Sequence, residues 1–335
     1  MSHINHRVRM GVIGVGVMGN YHLKNLYNLS DVEVVAICDI DEQRLEDLSA
    51  RYQVPGVLDY RELLDQVDAV SIATPTHTHY WIVRDFLEHE VDVLVEKPMT
   101  RSLEEAKELI RIKEEQGLVL EIGHVERFNP GVHVLKEYIR DPIYIESRRQ
   151  GPFTERTSDI GVILDLMLHD LDIILDLVAS PIEEINAIGI SVYSDFEDIA
   201  NVQLSFENGC IANLTANRVS PQKERKLKVI QDSTLLSLDY MERDLVIYRA
   251  EEFDYPYKQE GVEYTERIST ERISVDSGNP LLEELKYFLA SVRSRQDGHD
   301  IRPISNSQDD LTMLELVSEI LERTKIQKIK MRAKR

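Results

Sequence analysis

In the first 123 positions, apolar residues gather in short β-branched runs at 8–13, 32–38, 69–73, 91–95 and 118–122. Between them, near 19–29, 41–52, 78–89 and 102–116, apolar residues recur at helical spacing and leave one face polar. Strand alternating with helix implies parallel strands joined by crossover helices, because parallel neighbours need a long return connection.

Beyond residue 124 the pattern changes. Residues 142–150 read as a strand, 151–161 as a polar loop and 162–178 as one long helix. Strand-like runs follow at 182–192, 198–206, 210–217, 226–231, 234–239 and 244–249. Asn208-Gly209 separates two of them, a hairpin signal because both residue types tolerate positive φ. Consecutive strands without helices between them imply a mostly antiparallel sheet. The stretch 250–275 is polar and takes no assignment, helices near 279–295 and 308–325 close the pattern, and a basic tail follows. The expected fold is therefore α/β: a parallel-sheet domain over 1–123, then an α+β domain over 124–335 built on a mostly antiparallel sheet. The boundary rests on the change of pattern alone.

At 335 residues the chain exceeds one ordinary core. Lys and Arg total 39 against 60 Asp and Glu, a formal charge of −21. Such a surface repels nucleic acid and anionic membranes, so an anionic substrate needs a local basic pocket. No stretch approaches the ~18 apolar residues of a membrane helix, and the polar start of the chain does not read as a signal peptide. Cys38 and Cys210 are too few for a disulfide framework and suit a reducing cytoplasm.

Gly14-Val-Gly16-Val17-Met18-Gly19 follows the first strand and opens the first helix. In a dinucleotide-binding turn Gly14 makes the tight bend, Gly16 lets a pyrophosphate approach the backbone and Gly19 lets helix pack on strand. The helix start then offers free N–H groups and the positive end of its dipole. Asp39, about 20 residues on, ends the second strand, where it can accept hydrogen bonds from a ribose and repel a 2′-phosphate. That favours NAD over NADP, with Arg44 nearby on the next helix.

Two more segments carry candidate chemistry. Glu96-Lys97-Pro98 closes a strand, and the proline biases Lys97 towards extended backbone at the sheet end where ligands of such folds bind. A surface Glu-Lys pair before a helix is the alternative. Residues 162–178 are apolar except for Asp165, His169, Asp170, Asp172 and Asp176. Positions 165, 169, 172 and 176 form one narrow stripe on a regular helix. The stripe faces either bulk water or, in its first half, a cleft where Asp165 orients His169 as a general base. His77 and His79, or Asp165 and His169, lack the spacing of a zinc motif, and no metal is expected.

Together these residues resemble the glucose–fructose oxidoreductase, inositol dehydrogenase and MocA family. The markers are Gly14-x-Gly16-x-x-Gly19, Ala73-Thr74-Pro75 with His79, Glu96-Lys97-Pro98, and Gly161-x-x-x-Asp165-x-x-x-His169. The resemblance implies a Rossmann domain and Lys97 and His169 as the catalytic pair, with Asp165 in support. It also implies that NAD contacts Gly14, Gly16, Val17, Met18, Gly19, Asp39, Thr74, Pro75, His79, Glu96 and Lys97.

Gly123-His124-Val-Glu-Arg127-Phe-Asn-Pro departs from the broad family, and the glycine cluster before the second-domain helix is reduced to Gly161. Both departures resemble a subgroup that oxidises the 3-hydroxyl of UDP-N-acetylglucosamine. That likeness implies His124, Arg127, Phe153, Arg156, Asn217 and Arg218 as substrate contacts. Basic residues Arg148, Arg149, Arg156, Arg218, Lys223, Arg225, Lys226 and Lys228 also cluster against the acidic average, as a diphosphate requires. A dehydrogenase of inositol or a free sugar, and an NAD-binding regulator on the same fold, remain alternatives. The alternating pattern of 202–216 suggests a sheet face that pairs two copies into a homodimer or homotetramer.

Overall fold

The computed structural model describes residues 7–154, 160–250, 268–299 and 307–328. They divide into two compact units. The first comprises residues up to Phe128 together with Asn279–Glu315; the second comprises Asn129–Gly278 and the residues from Leu316 onward.

In the first unit the strands are β1 Val8–Ile13, β2 Val32–Cys38, β3 Gly56–Val57, β4 Ala69–Ile72, β5 Asp92–Glu96 and β6 Leu120–Gly123. They form one sheet in the order β3-β2-β1-β4-β5-β6, parallel throughout. The crossovers carry α1 Val17–Tyr27, α2 Glu42–Tyr52, α3 Thr76–Glu88 and α4 Leu103–Gln116. The strands read as unbroken apolar runs because both faces are covered. Met10, Val12, Ala69 and Leu94 join a core with Leu23 and Leu26 of α1 and Leu45 and Leu48 of α2. Ile13, Val70, Ile72, Val93 and Val95 join the opposite core with Val83 and Phe86 of α3 and Leu109 of α4. The strand order reverses between β1 and β4, the place where a doubly wound sheet opens a ligand crevice beyond its carboxyl ends.

In the second unit, α5 Pro130–Tyr138, β7 Tyr144–Gln150, a π-turn Ile163–Met167 and α6 Leu168–Val178 come first. Then follow β8 Ile182–Ser191, β9 Ile199–Phe206, β10 Ile211–Asn217, β11 Glu224–Gln231, β12 Thr234–Asp239, β13 Asp244–Ala250 and β14 Ile268–Ser274. With β15 Lys325–Lys328 these make a nine-stranded sheet, β14-β13-β12-β11-β7-β10-β9-β8-β15. Only β7/β10 and β8/β15 pair in parallel. Gly209, at φ +86°, turns β9 into β10. Helices α5 and α6 pack on one face of this sheet, over Leu214, Ala216, Leu236 and Leu245.

Three features depart from the expected pattern. Helix α7 Pro280–Gln296 belongs to the first unit, although a division at 123/124 puts it in the second. Its Leu281, Leu285, Phe288, Leu289 and Val292 complete the core that holds Leu23 and Leu26, so α7 covers sheet surface that no local helix reaches. The polar stretch 250–275 ends in a strand, β14, and part of the basic tail is a strand, β15. The helix expected over 162–178 opens as a π-turn over Ile163–Met167, so the regular wheel describes only 168–178.

Candidate functional site

The turn after β1 has the shape its glycines predict. Gly14 sits at φ +80°, and a Cβ there would press on Thr74 and the Ala73 carbonyl. A Cβ on Gly19 would overlap the Gly14 carbonyl oxygen, so α1 can lie against the turn only with glycine there. Beside Gly16 the space is open: a Cβ there meets nothing within 4 Å. That gap adjoins the first turn of α1, which contains no acidic residue and whose N–H groups have no intrahelical partner. The turn therefore fits a pyrophosphate, with Gly16, Val17 and Met18 nearest to it.

Asp39, at the end of β2, is 8% exposed and holds the neighbouring loop. Its carboxylate accepts the Val15 N–H at 2.8 Å, the Asp41 N–H at 3.0 Å and the Arg44 guanidinium at 3.1 and 3.2 Å. A carboxylate fixed by this many donors keeps a defined orientation towards a ribose.

Thr74 and Pro75 follow β4, half-buried and exposed respectively. His79, expected at the cofactor, is instead buried at 1% exposure. Its Nδ1 lies 2.9 Å from the Pro98 carbonyl oxygen and its Nε2 2.8 Å from that of Thr74. The ring thus ties the loop after β4 to the loop after β5, and neither nitrogen is left for a metal or ligand. Two carbonyls favour the doubly protonated ring, but burial is the larger effect and lowers its pKa.

Lys97 stands half-buried at the end of β5, before a cis Lys97–Pro98 peptide. Behind it lies a buried chain. Ser71 Oγ is 2.7 Å from His22 Nδ1, and His22 Nε2 is 3.0 Å from Glu96 Oε1. Burial alone would raise the Glu96 carboxyl, yet the hydrogen bond from His22, then the charges of His22 and Lys97, hold it below its usual range. Glu96 is thereby an anion next to Lys97 rather than a group turned outward to a cofactor. His22 escaped the sequence reading. Its signal is position: three residues after Gly19, it shares the buried side of α1 with Leu23 and Leu26.

In the second unit, Asp165 lies in the π-turn and His169 in the first turn of α6, both half-buried. The other stripe members part from them. Asp172 is buried, while Asp176 is exposed and paired with Lys136. Asp170, off the stripe, is buried against Arg149 at 2.8 Å. The segment starts where Gly161 meets Glu197, whose backbone and side-chain oxygens accept the N–H groups of Val162 and Ile163 at 3.0 and 3.1 Å.

Several expected substrate contacts have structural work. Arg218 is 3% exposed and reaches Asp198 Oδ1 at 2.6 Å, the Ile160 carbonyl at 2.8 Å and Ser194 Oγ at 2.8 Å. Burial alone would raise the Asp198 carboxyl, but backbone N–H groups of Tyr193, Val192 and Ser194, with Arg218, hold it down to about 2. Phe153 lies under the Arg218 guanidinium, 5.3 Å from ring centre to carbon, and packs edgewise on Tyr193. Asn217 donates to Gln150 at 2.9 Å and accepts the N–H groups of Val219 and Ser220, shaping its own turn. His124 and Arg127 belong to the first unit, the first buried and the second half-buried beside Glu121 and Glu284. Arg156 lies outside the described residues.

The basic cluster is largely neutralised. Arg149 and Arg218 sit in buried ion pairs. Arg148 and Lys228 share Glu146, and Lys226 reaches Asp239. Sequence proximity counted these cations; the register sets Asp239 beside Lys226 and Glu146 beside Lys228, and α6 supplies Asp170 to Arg149.

No helix among the described residues is long and apolar enough to cross a membrane. Cys38 and Cys210 are buried free thiols, pushed up by burial to about 12 and about 11.

Comparison with known proteins agrees with the dinucleotide turn and extends past it. The GFO/IDH/MocA oxidoreductase family with an NAD-binding Rossmann fold matches residues 8–124, and the GFO/IDH/MocA C-terminal domain matches residues 134–234. The chain is 36% identical over 242 residues to the UDP-N-acetylglucosamine 3-dehydrogenase of Acidithiobacillus ferrooxidans, covering 72% of this chain and 77% of that protein. A solved structure of UDP-N-acetylglucosamine 3-dehydrogenase from Acidithiobacillus ferrooxidans aligns with a TM-score of 0.84 at 30% identity, over 95% of this chain and 97% of the other. The scyllo-inositol 2-dehydrogenase (NAD(+)) of Bacillus subtilis is 31% identical over 238 residues, 65% of this chain and 69% of its own. The chain belongs to the GFO/IDH/MocA family of oxidoreductases and binds NAD through its Rossmann unit.

Proposed function

We propose that the protein oxidises the 3-hydroxyl of a UDP-linked sugar, UDP-N-acetylglucosamine first among them, to the 3-keto sugar. The observation that carries this reading is the likeness to the Acidithiobacillus ferrooxidans enzyme over 95% of the chain, the second unit included. A shared dinucleotide-binding unit alone would say nothing about the alcohol.

Bound NAD supplies a hydride acceptor. The remaining work belongs to the chain's own groups. His169, supported by Asp165, takes the proton of the sugar hydroxyl. Lys97 donates a hydrogen bond to the same oxygen as negative charge grows on it, in a place where a preset donor is worth roughly 10²–10³ in rate. Glu96, held by His22 and below its usual range, sets a negative charge next to that ammonium.

A second reading, oxidation of a free polyol, draws support from the scyllo-inositol dehydrogenase relative and from the neutralised basic cluster. The two separate in one assay. The protein is incubated with NAD and UDP-N-acetylglucosamine, UDP-glucose, myo-inositol or scyllo-inositol, and NADH absorbance is followed with and without UDP. Turnover of the UDP-sugar, inhibited by UDP, is expected. Turnover of polyols alone, indifferent to UDP, would replace the first reading with the second.

The face of the nine-stranded sheet opposite α5 and α6 presents Ile188, Ile211 and Ile230, each at least 39% exposed, among polar neighbours. This face joins copies of the chain into a homodimer or homotetramer in our reading. Light scattering at micromolar concentration tests it, and a monomer would refute it.

A further inference from the structure

The loop after β2 contains an arrangement that the family resemblance does not describe. Arg44 is held at both ends. Its backbone N–H donates to Asp41 Oδ1 at 3.0 Å, the cap that starts α2. Its guanidinium meets Asp39 through Nη1 at 3.1 Å and Asp41 through Nη2 at 2.9 Å. Asp39 is itself fixed by the Val15 and Asp41 N–H groups, and its side chain is 7% exposed.

An arginine near this strand end is what accommodates the 2′-phosphate in NADP-binding folds, while the strand-end carboxylate binds the ribose hydroxyls in NAD-binding ones. Both groups are present here. Which cofactor the site prefers therefore depends on whether the guanidinium is available. Its forked donors suit a phosphate, but two carboxylates already claim them. Two anions against one cation also leave the corner negative, and a 2′-phosphate would bring about two more negative charges.

We propose that Asp41 acts with Asp39 as a latch on Arg44, and that this latch makes the chain select a dinucleotide with a free 2′-hydroxyl. Asp39 takes Nη1 of the guanidinium, and Asp41 takes Nη2. Releasing Asp41 alone frees Nη2 while leaving the ribose-facing carboxylate in place. The inference rests on the dinucleotide reading of the first unit and is independent of which alcohol is oxidised.

The test measures dissociation constants by calorimetry for NAD, NADP, AMP and adenosine 2′,5′-bisphosphate. The proteins are the wild type, Asp41→Asn, Arg44→Ala and the double variant. Asparagine retains the helix cap, so α2 should start as before; a melting curve of each variant confirms folding. Asp41→Asn is expected to lower the preference for NAD over NADP by about tenfold, the scale of one charged hydrogen bond. The bisphosphate should gain affinity over AMP in parallel. Adding Arg44→Ala should restore the original preference. An unmoved ratio in Asp41→Asn would overturn the latch. So would a gain that survives the loss of Arg44, which would mean simple relief of negative charge. Wild-type protein that failed to bind NAD or AMP would overturn the cofactor assignment itself, a result legible before any variant is compared.

Discussion

Glu197 fills the space that a side chain on Gly161 would need. A Cβ built there overlaps its carboxylate, which accepts the Ile163 N–H at 3.1 Å at the start of the segment carrying Asp165 and His169. Burial raises the Glu197 carboxyl above its usual range, and the glycine is what lets it sit so close.

Gly161→Ala should therefore displace Glu197 and unseat the π-turn. Overpacking of this kind costs about 1–3 kcal/mol. Chemical denaturation should show that loss, and turnover should fall while NAD affinity stays with the first unit. A variant with full stability and full turnover would show that the contact does not set the segment.

Arg218 was expected on the substrate and is found in a buried pair with Asp198. Removing one partner of such a pair costs about 3–5 kcal/mol, because a charge is left buried alone. Arg218→Ala should lower the melting temperature strongly, and Arg218→Lys should recover only part of the loss. A substrate ligand would behave otherwise, raising KM with the melting temperature intact.

The first unit carries carboxyls raised by burial. Glu121 is pushed up to about 7, and Glu284 stands well above its usual range, with Glu96 and Glu121 adding to the burial effect. Among the described residues neither carboxylate oxygen of Glu284 finds a hydrogen-bond partner. A group raised in the folded state contributes stability that is complete below its unfolded value, ~4.3, and lost as pH climbs through the folded value. The melting temperature should therefore drop as pH climbs from ~4.3 through about 7, the window that Glu121 sets. Glu284→Gln, which cannot ionise, should flatten that fall; an equally steep fall would remove Glu284 from its cause. Asp198 works in the opposite sense: its contribution is present above the usual carboxylate range and lost as pH falls through about 2.

Lys97→Met should lower kcat by roughly 10²–10³ while NAD still binds, since it removes a donor to the developing oxyanion. His169→Ala should act similarly, with loss of the fall in rate at low pH that a general base imposes. Retained turnover in either variant would strip that residue of its role.

How much was legible in advance depends on the range over which each feature is determined. The glycine turn, the strand-end Asp39 and the Asn208-Gly209 hairpin are set by neighbouring residues, and each is recognisable from a few positions of sequence. His79 was legible as a marker but not in its role, because its two carbonyl partners come from the loops after β4 and β5. The stripe of 165, 169, 172 and 176 assumed one regular helix; 169, 172 and 176 do share α6, but Asp165 lies in a π-turn whose start is met by Glu197, supplied from a later part of the chain.

By itself the sequence determined the alternation of strand and helix, the dinucleotide turn and the candidate acid–base groups, since local periodicity and backbone freedom reside in adjacent residues. Only the tertiary structure decided that α7 returns to cover the first sheet, that Arg149 and Arg218 are neutralised in the interior, and that Arg44 is claimed by two carboxylates. Burial and charge pairing depend on which distant segments share a surface, and spacing along the chain does not carry that information.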